Sequence, residues 1–251
     1  MVLVDESSSK KAVGAKAVSE SAEIEPSIIK QIPLNMSLDA DATFDNYLSR
    51  ASARTAEWAV REVREGCYLW GGAGVGKSHL LQGLCQQAPD TRRYLPLTTL
   101  QEFPAKSLLE GIEASSLVAF DELDSVAENP AWQEPLFDAF NRCRELDVPM
   151  VFAARAAPTT YTAMLPDLRS RLSSLPVFHL PRFDDKELAD LLRLRSIRRG
   201  IQMSDEVVAF LVSRGPRDPE ALMMLLNALD TAALARGRPI TIPLIRALKL
   251  L

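Results

Sequence analysis

The run Gly71-Gly72-Ala73-Gly74-Val75-Gly76-Lys77-Ser78 decides the fold, because it fits the pattern G-x4-G-K-[ST] at every fixed position. An apolar run, Tyr68–Gly71, leads into it, and a helically spaced segment, Ser78–Gln87, leaves it. That strand–loop–helix context is what a phosphate-binding loop requires. Glycine leaves room for backbone N–H groups to turn inward around a phosphate where a Cβ would clash. The helix that follows adds the partial positive charge of its N-terminus. In such a loop Lys77 is placed to reach the β- and γ-phosphate oxygens, and the Ser78 hydroxyl to ligate Mg²⁺. His79, the next residue, is expected to pack or hydrogen-bond beside the nucleotide. The alternative is a glycine-rich turn without a ligand. Of the 11 glycines in the chain, four fall between residues 71 and 76, a concentration that the phosphate reading explains.

A second signal lies downstream in Leu117-Val118-Ala119-Phe120-Asp121-Glu122. Four apolar residues followed by two acids describe a buried strand whose end projects carboxylates toward the phosphate site. Asp121 is expected in the Mg²⁺ shell, and Glu122 to orient an attacking water. A strand that merely meets an acidic turn is the alternative, since Asp124 and Glu128 follow. Pairing with the glycine loop favours the first.

Five apolar runs, Tyr68–Gly71, Arg93–Leu97, Leu117–Asp121, Pro149–Ala154 and Val177–Pro181, read as strands of a buried parallel sheet. Helical segments such as Ser78–Gln87 and Trp132–Leu146 alternate with them, which predicts a doubly wound α/β core over residues 40–181. After Pro181 the pattern changes. Asp184–Arg199, Ser204–Ser213, Asp218–Arg236 and Ile242–Leu250 read as four helices with no strand between them, a small all-α domain over residues 182–251. Asp184 or Asp185 and Ser204 fit N-caps, and Gly200 and Gly237 fit helix stops. Residues 1–30, rich in Ser, Ala, Lys and Glu and free of aromatic residues, are expected to be a disordered tail.

Composition bounds the function. With 47% hydrophobic and 25% charged residues in 251, the chain is ordinary for a globular protein. No run approaches the roughly 18 apolar residues of a membrane span, and no charged-then-apolar leader opens the sequence. The three cysteines, Cys67, Cys85 and Cys143, are odd in number and widely spaced, which argues against a disulfide scaffold or zinc site and for a reducing compartment. A net charge of −4 argues against a surface built mainly to coat nucleic acid.

Several segments together resemble a known family. Ala42-Thr43-Phe44-Asp45-Asn46-Tyr47 resembles the T-F-D-x-[FY] entry segment of DnaA-type AAA+ ATPases, and the loop continues GKSHLLQ as theirs does. Leu165-Pro166-Asp167-Leu168-Arg169-Ser170-Arg171-Leu172 resembles their L-P-D-L-x-S-R-L segment. Thr241-Ile242-Pro243-Leu244-Ile245 is similar to the T-I-P-F ending of one branch, the Hda proteins, regulatory inactivators of DnaA. The likeness spans residues 31–251. It implies an AAA+ P-loop module with a five-stranded parallel sheet and a small α-helical lid, holding ADP or ATP with Mg²⁺. It further implies Phe44 and Tyr47 beside the adenine, and Arg171 as an arginine finger directed at a neighbour's γ-phosphate. Read without the resemblance, Arg171 is a surface arginine paired with Asp167.

Gln31-Ile32-Pro33-Leu34-Asn35-Met36 is similar to the Q-L-[SP]-L-P-L peptide with which Hda proteins dock on the DNA polymerase sliding clamp, the β subunit. Gln31 offers an amide at a groove mouth, and Ile32, Leu34 and Met36 supply apolar anchors. Asn35 stands where Pro is usual and Ile32 where Leu is usual. An ordinary linker packed on the core is the alternative. The helix-turn-helix domain and the helicase-recruiting domain of an initiator are expected to be missing, since the sequence as read ends after the lid and places 30 residues before this peptide. The implied partners are DnaA and the clamp, with DNA reached through the clamp, no membrane, and self-association left open. The implied location is the cytoplasm, at the nucleoid through the clamp.

The sequence also departs from the pattern. After the fourth strand, where initiators carry a polar nucleotide sensor, usually Asp, it reads Ala153-Ala154-Arg155. In the lid, Glu220 of Arg217-Asp218-Pro219-Glu220 stands where a second sensor arginine is usual, with Arg217 as the substitute. Both departures imply slow or negligible turnover by the protein alone, despite Glu122. Arg193, Arg195, Arg198 and Arg199 follow Asp184, Asp185, Glu187 and Asp190 along one lid helix, a polarity that suits the helix dipole better than a nucleic-acid patch. His179 is expected in the core, and Trp58, Trp70 and Trp132 in the core or an interface without stacking partners. Two rival functions stay open: a helicase-loader-like ATPase that binds single-stranded DNA, and a stand-alone P-loop enzyme such as a small-molecule kinase.

Overall fold

The computed structural model describes residues 38–248. The tail expected at 1–30, the peptide Gln31–Met36 and residues 249–251 lie outside the described residues. Strands β1 (Gly66–Trp70), β2 (Arg92–Pro96), β3 (Leu117–Asp121), β4 (Met150–Ala154) and β5 (Val177–His179) form one parallel sheet in the order β2-β3-β4-β1-β5. These are the five apolar runs of the sequence, the third of them residue for residue. Central strands β3 and β4 are buried at every position, which is why they read as continuous apolar runs without alternation. The fifth run yields a shorter strand, β5, which lies at an edge and pairs with β1.

Helices α1 (Arg54–Arg61), α2 (Lys77–Gln86), α3 (Leu97–Leu100), α4 (Ala105–Leu108), α5 (Pro130–Glu145) and α6 (Pro166–Ser174) cover the sheet. Side chains alternate between its faces. On one face Tyr68, Phe120 and Phe152 pack with Trp132 and Phe140 of α5 and Leu172 of α6. On the other, Leu69, Ala119 and Val151 pack with Val60 of α1 and Leu80 and Leu84 of α2. The register Phe120↔Phe152 stacks those two rings 4.7 Å apart and 4° from parallel, at the centre of the first layer.

Four helices follow the sheet: α7 (Asp185–Arg198), α8 (Asp205–Arg214), α9 (Pro219–Arg236) and α10 (Ile242–Leu248). They close around a cluster of their own that includes Leu192, Leu211, Leu226, Leu229 and Ile245. Their ends obey local chemistry. Asp184 accepts from the Glu187 backbone N–H while Glu187 accepts from that of Asp184, a capping box. Ser204 and Asp218 cap α8 and α9, and Gly237, in the left-handed region, ends α9.

Two aromatic expectations are corrected. His179 is exposed, not core: it ends β5, an edge strand that pairs with β1 on one side. Trp70 does have a stacking partner: the parallel register sets it against His179 at 4.1 Å. Trp58 is 65% exposed on α1, whereas Trp132 is buried and donates its indole N–H to the Gln101 carbonyl at 3.2 Å. Of the basic run of α7, Arg193, Arg198 and Arg199 are exposed, with Arg193 paired to Asp190 and Asp205, whereas Arg195 is half-buried and burial lowers its pKa. All three cysteines are buried, and burial pushes the thiols up, to about 12 for Cys67 and Cys85 and about 11 for Cys143, so they are inert neutral groups.

Phe152→Ala removes one member of the central stack. It is expected to lower stability by about 3–5 kcal/mol in denaturant unfolding, as large-to-small core changes do. A loss below about 1 kcal/mol would contradict the packing described.

Candidate nucleotide-binding site

Strand β1 emerges between β4 and β5, with β2, β3 and β4 all to one side of it. This reversal in strand order opens a crevice at the carboxyl edge, where doubly wound sheets hold ligands. The glycine loop leaves β1 at that point, anchored by the Gly71 N–H donating to the Ala154 carbonyl at 3.2 Å. It ends at Gly76, which has φ +97° and begins α2. Only glycine adopts that conformation freely, and a Cβ there would also stand 3.0 Å from the Tyr47 ring.

No side chain caps α2, and the backbone N–H groups from Gly74 through Ser78 find no acceptor among the described residues. Lys77 turns its ammonium into the loop, donating to the Gly71 and Gly72 carbonyls at 2.7 Å each. Burial lowers the Lys77 pKa, Asp121, Asp124 and Glu122 oppose that, and Arg155 adds to it. Unpaired donors, a helix N-terminus and an ammonium group converge in one loop, and that donor set fits a polyphosphate.

Asp121 ends β3 with a buried carboxylate. Tyr94 donates its hydroxyl to Oδ2 at 2.7 Å, and the Glu122 backbone N–H donates to Oδ1 at 2.9 Å, so the group is held in one orientation. Glu122 itself is half-buried and takes the left-handed conformation at φ 56°, uncommon for a residue with a Cβ. Asp124 accepts from the Arg155 backbone N–H at 3.0 Å and pairs with its side chain at 3.3 Å. The arginine that replaces the expected acid after β4 is thus tied to the acidic turn after β3.

The segment before α1 closes over the loop. His79 donates from Nε2 to the Thr43 carbonyl at 2.7 Å, since a carbonyl can only accept. Burial lowers its pKa. Tyr47, buried, lies 5.5 Å from the His79 ring, and Phe44 is half-buried beneath the Arg61 guanidinium at 4.4 Å. Phe44, Tyr47 and His79 therefore stand together beside the loop.

The other expected residues are placed as follows. Ser78 is half-buried in the first turn of α2. Val75 is buried, Ala73 exposed, and Gly72 and Gly74 half-buried. Asp218 and Pro219 of the lid pack against Gly74, while Glu220 is exposed. Arg217 is exposed and hydrogen-bonds Asp185 rather than the loop. Arg171 is exposed on α6, and its guanidinium joins no ion pair with Asp167 or any other acid among the described residues. Sequence reasoning missed Tyr94 and Arg50, which belong to no motif and meet the site only through tertiary contacts. Asp124 was visible as part of the acidic turn, without its partner.

Comparison with known proteins bears on the same regions. The family description "Bacterial DnaA ATPAse domain" matches residues 38–175, and "Hda, lid domain" matches residues 184–248. An uncharacterised protein of Haemophilus influenzae is 33% identical over 226 residues, 86% of this chain and 97% of that one. Domain III of the Thermotoga maritima replication initiation protein DnaA superposes with a TM-score of 0.75 at 21% identity, over 85% of this chain and 97% of that one. AMPPCP-bound DnaA from Aquifex aeolicus gives a TM-score of 0.69 at 17% identity, over 79% and 68% of the two chains. The two structural likenesses concern the fold. With a DnaA-type ATPase core, an Hda-type lid and a relative matched nearly end to end, the chain belongs to the DnaA-related AAA+ ATPase family.

Proposed function

We propose that this protein is a nucleotide-bound regulator of replication initiation that acts on DnaA. Docked on the DNA-loaded sliding clamp, it offers Arg171 to the ATP of a neighbouring DnaA and stimulates hydrolysis there. One observation carries the reading: Arg171 is exposed on a helix, within Leu165–Leu172, and no acid among the described residues neutralises it. A guanidinium so presented can stabilise the charge that develops on a neighbour's phosphoryl group. Gln31, Ile32, Leu34 and Met36 would hold the clamp. That tether raises local concentration without altering the chemistry.

In this reading the loop N–H groups and Lys77 hold the phosphates of ADP or ATP, and Phe44, Tyr47 and His79 flank the adenine. Mg²⁺, when bound, would supply positive charge to offset that of the phosphates. Ser78 and Asp121 would ligate it, Asp121 already held in one orientation by Tyr94 and the Glu122 N–H. The AMPPCP of the Aquifex aeolicus DnaA structure supports an adenine nucleotide at this loop. Glu122 would orient water, but neither Arg155 nor Arg217 is free to join Lys77 at the γ-phosphate. Arg155 is tied to Asp124 and Arg217 to Asp185. The protein alone is therefore a slow ATPase, and its nucleotide acts as a conformational ligand.

Arg171→Ala should bind nucleotide and clamp as the unaltered protein does. It should fail to stimulate DnaA–ATP hydrolysis on clamp-loaded DNA, a loss on the order of 10³-fold in the stimulated step. Unchanged turnover would sink the finger assignment. Gln31→Ala should lose capture by immobilised clamp; equal capture would remove the clamp from the proposal. Without partners, steady-state hydrolysis should stay well below about 1 s⁻¹, the low end for ordinary enzymes. Turnover at that rate would show that the altered sensor positions do not limit it.

A further inference from the structure

Arg50 lies between the adenine-side segment and α1, outside every motif, yet its side chain is only 1% exposed. One terminal nitrogen donates to the Val75 carbonyl of the phosphate loop at 2.9 Å. The other donates to the Pro181 carbonyl at 2.9 Å and meets Glu187 of α7 at 3.4 Å. The guanidinium plane covers the Phe183 ring, 3.9 Å from its centroid. Glu187 in turn accepts from the Ser52 hydroxyl at 2.6 Å and from the Asp184 N–H at 3.1 Å. One buried cation thereby joins the phosphate loop, the linker after β5 and the first turn of the lid.

Stability alone is a poor explanation for this arrangement. A buried guanidinium is expensive to desolvate, and apolar residues of similar volume often serve a core as well or better. Its single carboxylate stands at 3.4 Å, longer than the 2.7–2.9 Å or so of a strong charge-assisted bond. Its Nε is buried with no partner. The specific gain is geometric. A trans peptide points its C=O and the following N–H in opposite directions within one plane. With the Val75 carbonyl pinned to Arg50, the Gly76 N–H must face away from the guanidinium, among the unpaired donors that open α2. The Tyr47 ring packs on Gly76 from the same preceding segment.

We propose that Arg50 is a positioning residue that couples the lid to nucleotide affinity, by fixing the Val75–Gly76 peptide of the phosphate loop and gripping Glu187 of the lid together. The inference rests on the nucleotide reading above, and the test separates the two. ADP and ATP affinities of the full chain are measured by isothermal titration for the unaltered protein, Lys77→Ala, Arg50→Met, Arg50→Lys, Glu187→Gln and the Arg50→Met/Glu187→Gln double variant. Arg50→Met should weaken binding on the order of tenfold or more, and Arg50→Lys, which keeps the charge but not the planar fork, should recover only part of it. Glu187→Gln should weaken binding less, and the double variant should fall short of the product of the single effects, because both act through one linkage. A merely structural role would lower the melting temperature without this non-additivity in affinity. If Arg50→Met does not fold, Ser52→Ala takes its place in the cycle with Glu187→Gln. Affinities unchanged by Arg50→Met, or single effects that multiply fully, overturn the inference and leave the nucleotide reading standing. An unaltered protein that binds no better than Lys77→Ala overturns the nucleotide reading itself.

Discussion

The site depends on a close approach between two backbones. Gly71 leaves β1 with its N–H on the Ala154 carbonyl of β4, and the Leu180 carbonyl beyond β5 stands 2.3 Å from where a Cβ on Gly71 would be. No side chain fits between them. The loop therefore leaves the sheet through a gap only a glycine can pass, flanked by two strands that arrive much later in the chain. The placement of α2, the turn of Lys77 into the loop and the reach of Asp121 from β3 all follow from where that gap lies. A loop of identical sequence at the end of another strand would not face the acidic turn.

Charge at the crevice is balanced rather than accumulated. Lys77 feels three carboxylates, Asp121, Asp124 and Glu122, against its own burial and the neighbouring Arg155. Two of these acids are already engaged: Asp121 by Tyr94, and Asp124 by Arg155. The lid adds Asp218 against Gly74 and leaves Glu220 and Arg217 exposed, the latter on Asp185. Lys77, turned into the loop, and Arg182, whose Nε stands 3.5 Å from where a Cβ on Gly72 would be, bring the positive charge to the loop itself.

Much of this was legible in the sequence because it is local. Buried parallel strands must be apolar throughout, so β1 to β5 stood out as runs, and glycine spacing with the lysine marked the loop. Caps at Asp184 and Ser204 follow from side chains bonding N–H groups a few positions away. Illegible features are those in which distant segments meet. Arg50 reaches carbonyls 25 and 131 positions away, and nothing in its neighbours betrays burial. His179 looked like core because it sits within an apolar run, and only the strand order reveals that β5 is an edge. Trp70 and His179 stack through a cross-strand register that no single segment encodes. The helices α3 and α4, four residues each, are too short to show a period.

The two borders of the sheet have a consequence for how this molecule can join others. At one border, β5 is three residues long, with Pro176 just before it and Pro181 soon after. At the other, β2 carries Arg92 and Arg93 and ends on Pro96, which has no N–H to give. Among the described residues, a chain joining at β5 would find three positions, and one joining at β2 would run past two arginines toward a proline. Strand addition is disfavoured at both borders, which favours helices and loops as the surfaces through which copies or companions line up.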